Sequence, residues 1–582
     1  MTMMGGMSQR TFVVALLAIV AGAATIRGLF PSADPPWMPT VGIVWHDEGA
    51  WVHNARNKAL FGAWSEDRWN PMYIAPVFTG LEYLSFKAFG VGVGQARLAP
   101  EALGVLSVWL LALGVTRIAG RHAGLAAAVL LASNYVYVSW NRAAMMEGPM
   151  VAFIVMGWYC YVRSDDDSRW AAGAAAFAWL AFFTKAAAAF FLAALALDAA
   201  IVIGLSWLWP DRGQSTRAAW TFLASLAAGA AVALAAFVIP NWTDYRFYNW
   251  QMSVTRKPSY DLHSVLDRVT WLPVLHDTFT RMWFAVVVGL VASLGAIAQW
   301  RRLSGGERLL VLWIGLGAAE LIAHDVGNER RFVFFIPALI AVSAIVLGRG
   351  FLIDHDAAAL PRARALLAAP VVAYAFYVIA ASILRIAFLS EIRPNVRLGA
   401  AAAIALTLAT YATWPRLARA LSSSRWSPAA GLALACLVGA GSVAQYVQWA
   451  VGRTYKNVEA SRAIGRVLPA GTLVHGKLAN GLALENQIRP VFVGRGFGNY
   501  DDRKRRDDVR YILTYIAPSL GYESQAGDPV IKDVLDAYPN RRIIMTFDVA
   551  ETATGHDRAA LIDKFGSGER RELPRASGRA QD

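Results

Sequence analysis

Apolar residues fill long stretches of this chain, and polar ones gather in the short segments between them. A helix of ~20 apolar residues crosses the ~30 Å hydrocarbon core of a bilayer. On that criterion the pattern predicts about thirteen spans. They lie near 11–30, 97–119, 123–140, 149–163, 169–184, 186–207, 219–239, 282–300, 308–323, 332–348, 365–388, 398–414 and 428–450. The segment Met1–Arg10 is short and weakly basic, and no small-residue cleavage site follows the first run, so that run reads as an uncleaved first span.

The connecting segments sort into two sets. One set holds Arg117 and Arg121, Arg212 and Arg217, and Arg301, Arg302 and Arg308. It continues with Arg349, Arg362 and Arg364, then Arg416, Arg419 and Arg425. Short cation-rich loops mark the cytoplasmic side. The N-terminus then lies inside, and an odd number of spans puts everything after about residue 450 outside.

Three larger pieces face outward: 31–97, with two amphipathic stretches, then 240–281, then a tail of 452–582. The tail alternates helix-like segments (Tyr455–Leu468, Pro529–Ala537) with β-rich runs (Thr472–His475, Pro490–Val493, Arg541–Phe547). The expected fold class is therefore a polytopic α-helical membrane protein with a C-terminal extracytoplasmic α/β domain. The domains are 1–450, which includes the outer loop 31–97, and 451–582, whose polar basic end reads as disordered.

Composition excludes several classes. Of 582 residues, 56% are hydrophobic and only 16% charged, against about 25% charged in soluble domains. Two cysteines, Cys160 and Cys436, both in apolar runs, exclude a disulfide scaffold. The net charge of +14 would suit a nucleic-acid partner. Its concentration in the inner loops marks orientation instead, and no nucleic-acid partner is expected.

Candidate chemistry lies in the outer segments. Asp47 and Glu48 are adjacent carboxylates just after an apolar stretch. Neighbours do not share a helix face, so one can enter a site while the other meets a structural partner. A partly desolvated carboxylate suits a general base acting on a hydroxyl. The plain alternative is a helix start with acids in its first turn. His46, Asp47, Glu48 and His53 also suggest a metal, but their spacing matches no standard zinc pattern.

Arg142 and Glu147 stand near membrane depth, where ionisable groups are rare. They can serve a site or bridge each other. Lys185 lies between two apolar runs and can snorkel or bind a phosphate. Arg330 and Arg331 sit in an outer turn, against the charge rule, and can clamp a phosphate or pair with Asp325 and Glu329. Gly494–Gly498 is followed by the charged run Asp501–Asp508, which reads as a turn and not a dinucleotide fingerprint. Asp198, inside the sixth run, can pair across helices.

All these outer groups fall on one side of the membrane, and their order resembles a known family. The elements are Asp47-Glu48, Phe89-Gly90 with Ala96-Arg97-Leu98, Asn141-Arg142 with Glu147-Gly148-Pro149, Thr184-Lys185, and Glu329-Arg330-Arg331-Phe332 with Pro337. With the outer α/β tail, they resemble the GT-C-fold glycosyltransferases. The nearest likeness is to bacterial relatives of the dolichyl-phosphate-mannose–protein mannosyltransferases and the aminoarabinose lipid A transferases. Trp51 stands where many members have a tyrosine, and Met72–Pro76 occupies the place of a basic KPPL-like segment.

The resemblance implies a polyprenyl-phosphate-linked sugar as donor and a hydroxyl on a lipid, glycan or protein as acceptor. It implies inverting transfer at the outer face of the inner (plasma) membrane. Asp47 would be the base, with Glu48 and Glu147 orienting it or the sugar. Arg142, Lys185, Arg330 and Arg331 would hold the donor phosphate. No cofactor is required, and a divalent metal is the open alternative. A secondary transporter or a non-catalytic envelope assembly protein are the competing readings. The clustering of charge at one face, and the lack of an internal repeat, speak against a transporter.

Overall fold

The computed structural model describes residues 7–35, 45–65, 67–208, 216–253, 261, 263–264, 281–324, 329–349, 362–387, 396–423, 427–492, 506–515, 537–550 and 558–566. Helix α1 (Gln9–Gly28) starts at Ser8, whose hydroxyl accepts from the Thr11 amide at 3.0 Å. The first outer piece then forms α2 (Trp45–Trp51), α3 (His53–Phe61) and α4 (Pro76–Phe89).

Back in the bundle, α5 (Val93–Ala119) and α6 (Arg121–Ser133) are joined by Gly120 alone. Its φ of +87° is a conformation that a side chain would strain. Asn134 ends α6 and caps α7 (Tyr135–Asn141), its side chain accepting from the Tyr137 amide at 2.9 Å. That switch bends the third run by 60°.

The bundle continues with α8 (Glu147–Arg163), α9 (Arg169–Thr184), α10 (Ala189–Leu208) and α11 (Arg217–Ala233). Outer helix α12 (Trp242–Ser253) follows. Next come α13 (Trp283–Ala298), α14 (Gly305–His324), α15 (Ile336–Arg349), α16 (Arg362–Ala387), α17 (Val396–Ser423) and α18 (Pro428–Val451).

Every predicted run is thus helical. Among the described residues, seven helices are long and apolar enough to cross a membrane, or eight with the bent pair counted as one. Polar contacts sort the ends of the others. At one end, Arg121 donates to the Met7 carbonyl, Arg117 pairs with Asp166, and Arg349 pairs with Glu307 and donates to the Ile118 carbonyl. At the opposite end, Arg330 pairs with Asp47, Lys185 pairs with Glu147, and the Trp449 indole donates to the Asp34 carbonyl. Helices α8, α9, α14 and α15 run alternately between these two ends, although α8 and α9 are short.

The tail carries α19 (Lys456–Val467), β1 (Leu473–His475), α20 (Lys477–Gly481), β2 (Arg489–Val491), β3 (Tyr511–Tyr515), β4 (Arg542–Asp548) and β5 (Arg558–Asp563). The sheet order is β2-β1-β3-β5-β4. The β1–β2 and β1–β3 pairs are parallel, and β5 runs antiparallel to β3 and β4. Ile464, Val474, Leu482, Leu513 and Leu561 form its core. Strands β3 and β5 were not expected from the pattern. The expected helix at 529–537, the glycine turn at 494–498 and the polar end lie largely outside the described residues.

The three outer pieces meet on the first. Asp34 accepts from Thr454 Oγ1 at 2.6 Å and from the Lys456 and Asn457 amides at 2.8 and 3.2 Å. An acid is favourable at that helix start, where amides lack partners. Burial nonetheless raises its proton affinity, against the pull of those donors. Arg56 donates to the carbonyls of Ala483, Asn486 and Ile488. From the second piece, Tyr248 stacks on Tyr73 at 5.7 Å and its hydroxyl accepts from Asn70.

Candidate active site

Asp47 and Glu48 stand in the first turn of α2. Successive helical residues diverge by ~100°, and the two carboxylates part. Glu48 turns inward. Arg97 holds it through Nε and Nη2 at 2.8 Å each, and the Ala144 amide donates to its Oε1 at 2.7 Å. Arg97 also donates to the carbonyls of Pro31 and Ala33. Glu48 therefore braces α2 against α5 and the turn before α8. Both its oxygens are engaged and its side chain is buried, an arrangement that suits bracing more than contact with a substrate.

Asp47 turns to the mouth of the bundle. It accepts from Arg330 Nη1 at 2.9 Å, and both side chains are 20% exposed. Arg330 stands in a 3-10 turn, Glu329–Phe335, between α14 and α15. Its Nε lies 3.4 Å from Glu147 Oε1. Glu147, the first residue of α8, is fully buried and also pairs with Lys185. Lys185 occupies the break between α9 and a 3-10 turn, Ala186–Ala188, with its ammonium 5.6 Å from the Phe334 ring centre.

The order Asp47, Arg330, Glu147, Lys185 alternates in sign and draws on four separate segments. Arg331 borders it, with Nη1 3.7 Å from Glu320 Oε1 on α14. Asp325 lies outside the described residues, so the proposed Asp325 partnership does too.

Arg142 does not join this cluster. Its guanidinium donates to the carbonyls of Ile26, Arg27 and Phe30 and lies 4.6 Å from the Trp449 ring centre. Carbonyls at a helix C-terminus lack partners and attract cations, so the end of α1 holds Arg142. Arg142 thus stands apart from the Asp47–Lys185 chain, and Glu147 pairs with Lys185 and Arg330 where the plain alternative had it bridging Arg142.

Of the four residues weighed as a metal set, the His46 side chain lies outside the described residues. His53 is buried, with Nε2 3.2 Å from Asp67 Oδ1 and Nδ1 3.0 Å from Asn480 Nδ2. Among the described residues, no group of three or more His, Cys, Asp or Glu comes together as a metal site.

The residues that sequence reasoning missed are those behind the site. Arg97 was quoted only as part of a motif, although an arginine within an apolar run is itself a signal. Glu82 on α4 is fully buried, and neither carboxylate oxygen has a hydrogen-bond partner among the described residues. Burial, with a smaller push from Glu48, holds its carboxyl well above the usual range.

With this geometry in place, comparison with known proteins is informative. Residues 74–241 match the family model described as dolichyl-phosphate-mannose-protein mannosyltransferase. A comparison with curated protein sequences gave no match. The apo crystal structure of ArnT from Cupriavidus metallidurans superposes with a TM-score of 0.52 at 15% identity, covering 95% of this chain and 99% of that one. The structure of the same protein bound to undecaprenyl phosphate gives 0.50 at 16% identity, covering 96% and 99%. At that identity the likeness concerns the fold, and it runs the length of both chains. The chain is therefore a membrane protein of the GT-C fold, whose residues 74–241 match the dolichyl-phosphate-mannose-protein mannosyltransferase model.

Proposed function

We propose that this protein is a glycosyltransferase that moves a sugar from a polyprenyl-phosphate donor to a hydroxyl acceptor. The observation that carries the reading is the chain Asp47–Arg330–Glu147–Lys185 at one end of the bundle. A partly exposed carboxylate stands there beside two cations that a buried glutamate holds in place. The arginine-rich loops of the opposite end support a cytoplasmic placement of that end; on this reading the site opens at the outer face of the inner (plasma) membrane.

Asp47 takes the proton of the acceptor hydroxyl as its oxygen attacks the anomeric carbon. The bond to the phosphate oxygen breaks on the opposite face, so configuration inverts. The departing polyprenyl phosphate keeps the bonding electrons, and Lys185, Arg330 and Arg331 stabilise the charge that develops. Arg330 couples the two events. A phosphate that draws its guanidinium weakens its pairing with Asp47, which makes that carboxylate a stronger base. Glu147 keeps both cations oriented. The mechanism uses no cofactor. Similarity to ArnT, which was crystallised with undecaprenyl phosphate, supports the lipid class of the donor.

Membranes containing the protein, incubated with radiolabelled polyprenyl-phosphate sugars, are expected to transfer label to an endogenous hydroxyl. Asp47→Asn is expected to stop transfer while the protein level is kept. Uptake of label into sealed vesicles without transfer would overturn the reading in favour of a transporter.

A further inference from the structure

Helix α2 carries Asp47 but has only seven residues. An isolated helix that short has no stability of its own in water, so its position is set by what touches it. Arg97 and the Ala144 amide hold the Glu48 side. Arg330 meets the Asp47 face. The Trp69 indole donates to the Ala50 carbonyl at 2.7 Å, and its ring lies 5.5 Å from that of Trp51. A further contact is with the tail.

Gly49 follows Asp47 by two residues, which is about 200° around the helix and hence on its back. There it abuts the backbone of α20. A Cβ on Gly49 would lie 1.9 Å from the Asn480 carbonyl oxygen and 2.9 Å from the Gly481 Cα. The side chain of the same asparagine reaches α3. Its Nδ2 lies 3.0 Å from Nδ1 of His53, while the other ring nitrogen faces Asp67. Asp67 in turn accepts from the Phe492 amide of the tail at 2.7 Å. Asn480 is therefore wedged behind α2 by its backbone and tied to the start of α3 by its side chain, and it is itself 1% exposed.

We propose that the tail is a working part of the site and that Asn480 is a positioning residue for Asp47. The effect on catalysis rests on the glycosyltransferase reading above, whereas the effect on the position of α2 does not. A displacement of about 1 Å at a reacting group can cost ~10²-fold in rate, and Asn480 backs α2 directly at Gly49.

Two measurements on the full-length protein test this. In a background with Cys160→Ala and Cys436→Ala, the pair Asp47→Cys with Arg330→Cys is bridged by a short bifunctional thiol reagent. Asn480→Ala is expected to slow that cross-linking several-fold. In the native background, Asn480→Ala lowers kcat with the KM for donor lipid unchanged. Gly49→Ala lowers kcat by ~10²-fold. Cross-linking at the parent rate in Asn480→Ala would overturn the proposal, as would a rise in KM at constant kcat. If the parent transfers no sugar, the functional reading fails, and the cross-linking rates still decide this one.

Discussion

Two of the ion-pair clusters among the helices are built differently. Toward the end that carries Arg117 and Arg349, Asp198 on α10 is fully buried. Arg308 donates to it through Nε at 2.8 Å and Nη2 at 3.3 Å, and the Tyr161 hydroxyl donates to its Oδ2. Both carboxylate oxygens are satisfied, and the arginine also donates to the Leu303 carbonyl. At the outer end, Asp47 is partly exposed and shares Arg330 with Glu147, which is in turn shared with Lys185. A closed pair joins helices. An open chain whose two inner charges each serve two neighbours can exchange one of them for a ligand at small cost. Charge within the bundle is therefore not in itself a sign of chemistry. Exposure and shared partners separate the two clusters.

The sharpest way to break this contrast is to neutralise one carboxylate in each. Asp47→Asn should lower transfer by ~10²–10⁴-fold, the range of a lost general base, with thermal stability in detergent unchanged. Asp198→Ala should do the reverse. Removing one partner of a buried pair costs about 3–5 kcal/mol, so the melting temperature falls while turnover per folded molecule is kept. Activity lost from Asp198→Ala molecules that remain folded would erase the distinction.

Lys185→Ala tests the open chain from its other end. Truncating one member of a hydrogen-bonded charge pair costs ~2–5 kcal/mol, so binding of polyprenyl phosphate, followed by calorimetry, should weaken by at least ~30-fold. Arg142→Ala should leave that affinity within a few-fold, since its guanidinium serves the end of α1.

The smallest effect is expected in the tail. Hydrogen bonds from Arg510 hold the Asp563 carboxyl below the usual range. A carboxyl depressed in the folded state stabilises it above the unfolded pKa of ~3.9 and loses that contribution as pH falls through the lowered value. Arg510 is about half exposed, and solvent screening limits such a pair to ~0–1 kcal/mol. Proteolysis of the tail in the intact protein should therefore rise slightly below pH ~4, and Asp563→Asn should flatten that response.

The bundle was legible because a span is a local signal. Each helix registers as its own apolar run, and even the 60° break in the third run is local, at Asn134. The divergence of Asp47 from Glu48 followed from helix geometry alone. Long-range placement was not legible. Nothing near Arg142 in sequence indicates that the end of α1 lies beside it. Strands β3 and β5 are short and follow charged stretches, and they are recognisable mainly by their pairing. The support behind α2 comes from residues so far along the chain that no window of sequence contains both.

That last separation has a consequence for biosynthesis. His53 and Asn480 are 427 positions apart. At ~5–20 residues per second, ribosomes need roughly 20–90 s to make the intervening chain. During that time Asp47 is already made and Arg330 soon follows, but the tail that backs α2 does not yet exist. A chain made as far as Arg331 thus holds all the proposed reactive groups and still lacks the segment that backs α2. If the proposed role of the tail holds, competence comes only with the final segment, and a product truncated before it is expected to transfer no sugar.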